Sequence, residues 1–184
     1  MQRVMIIGQP GSGKSTLARR LGQCTGLPVV HIDKIHWQPG WVERTPEEKT
    51  RLCHEVEAGE RWIFEGGHST TWSNRLARAD LLLWIDRGLA LRLYRVLRRT
   101  FSQRGSTRAD LPENCPEQLR NLPPFLRYIW TSRHSARRKM QRLAGSAPSH
   151  CQVVRLRSNR DVERFLASLA QHANGATEAT PAQR

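Results

Sequence analysis

The stretch Arg3-Val4-Met5-Ile6-Ile7-Gly8-Gln9-Pro10-Gly11-Ser12-Gly13-Lys14-Ser15-Thr16-Leu17-Ala18 decides the fold. Val4 to Ile7 are apolar and rich in β-branching, which reads with Arg3 as a buried strand. Gly8 to Ser15 then satisfies G-x-x-x-x-G-K-[ST] between that strand and a helix, the context a phosphate-binding loop requires. Chemistry explains the residue types. Gly8, Gly11 and Gly13 let the backbone turn, so that N–H groups from Gly11 through Ser12 to Thr16 converge on phosphate oxygens. The helix N-terminus adds its positive dipole end, Lys14 reaches the β and γ phosphates, and Ser15 offers a hydroxyl to Mg²⁺. An ordinary glycine-rich turn has no need of Lys-Ser at the helix start.

Outward from this loop, strands and helices alternate. Residues 28–33 read as a second strand, 62–64 as a third, 81–85 as a fourth and 151–156 as a fifth. Thr45 caps a helix with Pro46 at its first position and Glu48 closing a capping box, and Gly59 stops it. A short helix is expected over about 70–78. Leu89, Leu93, Val96 and Leu97 then share one helical face, with Arg92, Arg95 and Arg99 on the other. Periodicity vanishes over 100–124, which reads as a mobile loop or lid, before a basic helix over 125–143. Ser158 or Asn159 caps a last helix. The alternation predicts an α/β fold, a parallel sheet covered on both faces. One domain spans 1–174, with the lid inserted at about 100–124 and a flexible tail at 175–184.

Thirty basic against sixteen acidic side chains leave a net charge of +14, and only four of the bases are Lys. The surplus is local. Between Arg87 and Arg142 lie thirteen Arg and Lys139 against Asp110, Glu113 and Glu117, eleven of the fourteen charges. A solvated helix face is the simple reading of such a run, yet self-repulsion makes an anionic ligand or partner the favoured one. Cys24, Cys53, Cys115 and Cys151 lack metal-ligand spacing, so reduced thiols in a cytoplasmic protein are expected. No run approaches the roughly 18 apolar residues of a membrane span, and no membrane partner is expected.

Three segments carry a resemblance: GQPGSGKSTLARRLG, LPVVHIDKIHWQPGW and WIFEGGHSTTWSNRLARADLLLWID. They look like the bacterial adenylate-kinase-related proteins labelled DNA topology modulation or FlaR-like. More distantly the chain is similar to nucleoside monophosphate kinases and shikimate kinase. The resemblance implies a P-loop NTPase sheet of five parallel strands in the order 2-3-1-4-5, ATP with Mg²⁺ at the loop, and an Arg-bearing lid. Where many relatives have an Asp-Gly-Asn-Tyr-like segment after the third strand, this chain has Glu65-Gly66-Gly67-His68.

The expected chemistry is transfer of the ATP γ-phosphoryl to a small acceptor. Asp33, at the carboxyl edge of the sheet, either orients and deprotonates an acceptor hydroxyl or caps a turn. Glu65 anchors Mg²⁺ through water, accepts a substrate proton, or caps a helix. Asp86 is expected to pair with Arg87 or cap the next helix. By resemblance, Arg75 matches an arginine that recurs after this strand, and it either binds an acceptor's anionic group or forms a surface salt bridge. Arg157 to Asn159 lie where similar kinases hold adenine. Trp37, Trp41 and Trp72 wall an acceptor pocket or pack a helix on the sheet, and His68 faces the acceptor or bonds within its loop. Arg99, Arg104 and Arg108 are candidate phosphate clamps, with Arg133, Arg137 and Arg138 entering from the other side. The alternative is a nucleic-acid-associated ATPase or end-modifying kinase whose 87–142 segment tracks a phosphate backbone.

Overall fold

The computed structural model describes residues 1–177. The elements open with β1 (Arg3–Gly8), α1 (Lys14–Thr25), β2 (Val29–His31) and α2 (Ile32–His36). A short antiparallel hairpin of β3 (Trp37–Gln38) and β4 (Val42–Glu43) follows, then α3 (Pro46–Ala58), β5 (Trp62–Glu65), α4 (Trp72–Arg78) and β6 (Leu81–Ile85). The remainder is α5 (Leu89–Ser102), a 3₁₀ turn at Leu119–Asn121, α6 (Leu122–Gly145), β7 (Gln152–Leu156) and α7 (Asn159–Thr177).

The sheet is wholly parallel in the order β2-β5-β1-β6-β7. In strands counted one to five this is 2-3-1-4-5, as expected. β1 is central and buried on both faces because its side chains alternate between two cores. Val4 and Ile6 join Leu17, Leu21 and Leu166 under α1 and α7. Met5 and Ile7 join Phe64, Trp72, Trp84 and Met140 on the opposite face. The strand order reverses at β1, so its carboxyl end opens the crevice where such sheets bind ligands.

Several boundaries differ from expectation for local reasons. β2 ends at His31, because Ile32 starts the single turn of α2, and Asp33 therefore sits on a helix. Arg44 stabilises that turn by donating from Nη1 to the carbonyls of Lys34, Ile35 and Trp37 at 2.9–3.0 Å. The Trp-rich loop folds into the β3–β4 hairpin instead of staying irregular. The stretch 100–124, expected as a mobile loop or lid, is helical at both ends, and its middle, 103–118, buries Asp110, Leu111 and Cys115. It is tied to the hairpin: Trp41 Nε1 donates to the Pro116 carbonyl at 3.0 Å, and the Gly40 N–H to that of Asn114 at 3.1 Å. α7 continues through Thr177, past the point where the tail was expected, and 178–184 lie outside the described residues. All four cysteines are free thiols. Among the described residues no helix is long and apolar enough to cross a membrane.

Candidate active site at the phosphate loop

β1 runs into the loop at the carboxyl edge of the sheet, and its glycines are required there. Gly11 has φ 76° and Gly13 φ 101°, and a Cβ on Gly11 would lie 2.5 Å from the Arg92 carbonyl oxygen. α1 starts at Lys14 with no side chain capping it, so its first-turn N–H groups are available to an anion. The buried Ser12 hydroxyl also has no partner among the described residues.

Helix α5 braces this loop from outside. Arg92 donates to the Pro10 carbonyl at 3.1 Å and bonds Gln9 Oε1. Arg95 donates to the Ser12 carbonyl at 2.9 Å and to Asn159 Oδ1 at 3.0 Å, which Arg87 also reaches at 3.1 Å. Gln9 Nε2 in turn donates to the Arg133 carbonyl at 2.8 Å. Sequence reading missed Arg92, Arg95 and Asn159 as supports. The one available signal was the i, i+3 spacing of two arginines on a polar helical face.

The second acid cluster lies at the end of β5. Glu65 is buried, accepts the Ser15 hydroxyl proton at 2.9 Å, and lies 2.8 Å from His31 Nδ1. Its neighbour Gly66 has φ 117°, and a Cβ there would lie 2.0 Å from Ile32 Cγ2, so only glycine lets α2 approach. This packing brings Asp33 over the loop. Solvent reaches the Asp33 side chain through the cleft (42% exposed), and Arg108 Nη2 lies 3.8 Å away. Burial by the surrounding protein, then the charge of Glu65, raise the Asp33 carboxyl above the ordinary range, and Lys14 and Arg108 only partly offset them.

The end of α5 and the 103–118 segment bring Arg99 and Arg108 to the same place on a carboxylate scaffold. Arg99 Nε and Arg108 Nε lie 3.0 and 3.1 Å from Glu117 Oε1, and Arg108 Nη1 donates to Asp110 at 3.1 Å. Burial pushes the Asp110 carboxyl up, but Arg108 and a bond from Ser15 outweigh it, and it sits below the ordinary range.

Together these elements enclose a cleft of about 1560 Å³. That exceeds the roughly 300–1,000 Å³ of a single-ligand site, so two ligands can lie side by side. Every residue from Gly8 to Thr16 lines it, as do Asp33, Glu65, His68, Arg99 and Arg108. Trp37, Trp41 and Trp72 wall it, with Trp37 and Trp41 edge to face at 5.2 Å and the Trp72 Nε1–H buried without a partner. His68 bonds Thr50 Oγ1 at 2.9 Å, and burial, then the charge of Lys49, lower its pKa.

Other expected site residues lie elsewhere. Arg75 is fully buried and does not line the cleft. It pairs with the equally buried Glu57 at 3.1 Å, donates to Thr71 Oγ1, and lies 3.6 Å over the Phe64 ring. The acceptor contact expected of it is therefore corrected to a role inside the core. Arg157 points to solvent outside the cleft; its N–H and that of Ser158 bond Asp161 at the start of α7, and Asn159 lines the cleft instead. Arg104, Arg133, Arg137 and Arg138 are also outside the cleft. Asp86 pairs with Arg137 and Arg155, not Arg87, because Arg155 reaches it from the neighbouring strand β7 and Arg137 from α6.

The fold is a five-stranded parallel α/β sheet flanked by helices, with the glycine-rich loop at the end of its central strand, and solved shikimate kinases share it. A shikimate kinase from Acinetobacter baumannii, solved with shikimate, superposes with TM-score 0.55 over 96% of this chain and 94% of its own, at 16% identity. Among curated proteins, the uncharacterized protein YqaC of Bacillus subtilis is 29% identical over 57% of this chain and 60% of its own length. A cytidylate kinase of Pyrobaculum aerophilum is 28% identical over 52% of this chain and 59% of its own. The chain thus spans about 60% of the length of these curated relatives. No protein-family model matches it.

Proposed function

We propose that this chain is an ATP-dependent phosphotransferase acting on a small acceptor that presents a hydroxyl to Asp33. One observation carries the reading: the uncapped α1 N-terminus, the Ser15–Glu65 pair and a proton-seeking Asp33 face each other across one cleft. The similarity to a cytidylate kinase and to shikimate kinase structures supports it.

The roles follow from position. The loop N–H groups and Lys14 hold the nucleotide phosphates. Ser15 fits a hard cation directly and Glu65 fits it through water, so these two residues would hold Mg²⁺; the ion supplies neutralisation of phosphate charge. Asp33 accepts the acceptor's hydroxyl proton as its oxygen bonds the γ-phosphorus and the bond to the β–γ bridging oxygen breaks, releasing ADP. Arg99 and Arg108 stabilise charge on the transferring group, which needs positioning and electrostatics more than covalent help. Trp37, Trp72 and His68 border the acceptor side.

A coupled ADP-release assay over nucleosides, nucleoside monophosphates, sugars and shikimate-like polyols tests this. At least one class is expected to stimulate turnover; absence of stimulation across all four contradicts the reading. Asp33→Asn is expected to lower acceptor-stimulated kcat about 100-fold. In the wild type, kcat/KM should rise with pH through a group titrating above the ordinary carboxylate range, and this acid limb should vanish in the variant.

The same shift has a stability consequence. With its folded-state pKa raised, Asp33 binds its proton more tightly in the folded than in the unfolded chain, so ionising it opposes folding as pH rises through that window. Asp33→Asn is therefore expected to raise Tm at pH 7, with the advantage lost below about pH 4. A variant that melts lower at pH 7 would contradict the assignment.

A further inference from the structure

We propose that the outer face of α5 and α6 binds single-stranded nucleic acid, with Trp130, Tyr94 and Phe101 stacking on bases and unpaired arginines holding the backbone. The two helices pack on each other, and each turns a stripe to solvent. On α5 the stripe is Tyr94, Arg98 and Phe101, spaced i, i+4, i+7; on α6 it is Arg127, Trp130, His134 and Arg138, spaced i, i+3, i+7, i+11.

Three aromatic rings on this face are more than half exposed: Tyr94 58%, Phe101 63% and Trp130 54%. Rings this large gain by burial, so three of them left in water on two packed helices mark a contact surface. Arg133 lies 4.1 Å over one face of the Trp130 indole, leaving the other for a second flat group.

The charge on the same stripes completes the match. Arg98, Arg127, Arg138 and Arg142 are exposed and form no ion pair within the described residues. Sequence reading placed the surplus in this part of the chain. Spent lid and brace arginines account for some of it: Arg99 and Arg108 on Glu117, Arg92 and Arg95 on the loop, and Arg137 on Asp86. Arg98, Arg127, Arg138 and Arg142 are among those left over outside the cleft. Interleaved cations and exposed rings are what a flexible strand with splayed bases requires, whereas a duplex hides its bases and a lipid surface offers no rings to stack. The inference stands whether or not the cleft transfers phosphate.

Fluorescence anisotropy of a fluorescein-labelled 20-mer oligothymidylate, titrated with the full-length protein across a salt series, tests it. The logarithm of affinity is expected to fall with that of salt with a slope near about −3, for four phosphates neutralised. Arg138→Ala with Arg142→Ala should flatten the slope by about 1.4. Trp130→Ala, and independently Phe101→Ala, should each weaken binding about tenfold and leave the slope unchanged. Both rings are exposed and outside the cleft, so unchanged circular dichroism and ADP release serve as the controls. Several results overturn the proposal: no binding at about 50 mM salt, affinities unmoved by either aromatic variant, equal affinity for duplex DNA, or tighter binding to phosphatidylserine vesicles.

Discussion

Lys14→Ala is expected to lower nucleotide turnover about a thousandfold while leaving the fold intact. Lys14 sits at the start of α1, partly exposed to the cleft, so no core packing is lost with it. On the proposed reaction, what is lost is a positive charge placed against developing phosphoryl charge, in a site where Glu65, Asp33 and Asp110 already crowd negative groups. A thousandfold is about 4 kcal/mol of transition-state stabilisation, within the range of a single preorganised electrostatic contact. Steady-state ADP release checks the rate, and an unchanged thermal melt checks the fold. Wild-type turnover in the variant would mean that the loop does not hold the reacting phosphates.

The second large effect is on stability. Glu57→Ala is expected to cost about 3–5 kcal/mol, because it leaves the Arg75 guanidinium buried without its carboxylate. Such a loss is a large share of the roughly 5–15 kcal/mol that holds a domain together. Arg75→Met combined with Glu57→Leu removes both charges and should recover most of it, as replacing a whole buried pair usually does. Chemical denaturation measures both. The double variant also separates the two views of Arg75. An arginine that binds acceptor would take acceptor-stimulated turnover with it, whereas Arg75 packed on Phe64 should leave KM for the acceptor within about threefold in the folded protein.

These residues show where the sequence was legible. The loop from Gly8 to Thr16 was readable because its chemistry is contiguous: glycines, lysine and serine act within one turn of chain. The parallel sheet followed from apolar runs alternating with amphipathic ones. Glu65 was readable as an edge acid, but its contacts were not, since Ser15 and His31 reach it from 50 and 34 positions away. Arg75 misled for the same reason. Whether an arginine meets a ligand or a buried carboxylate depends on Glu57, in the last turn of a different helix. Arg92 and Arg95 looked like one polar face, yet α5 lies against the loop and turns them to backbone carbonyls. The lid hid its order because its ties are long-range, from Cys115 and Pro116 to the Trp41 hairpin.

Transfer of label from [γ-³³P]ATP in the presence of a stimulating acceptor tests the central claim most directly. The label is expected on the acceptor in proportion to ADP formed, and Asp33→Asn should reduce that transfer about 100-fold. Label appearing as inorganic phosphate alone, at the same rate in wild type and Asp33→Asn, would contradict phosphoryl transfer in this cleft.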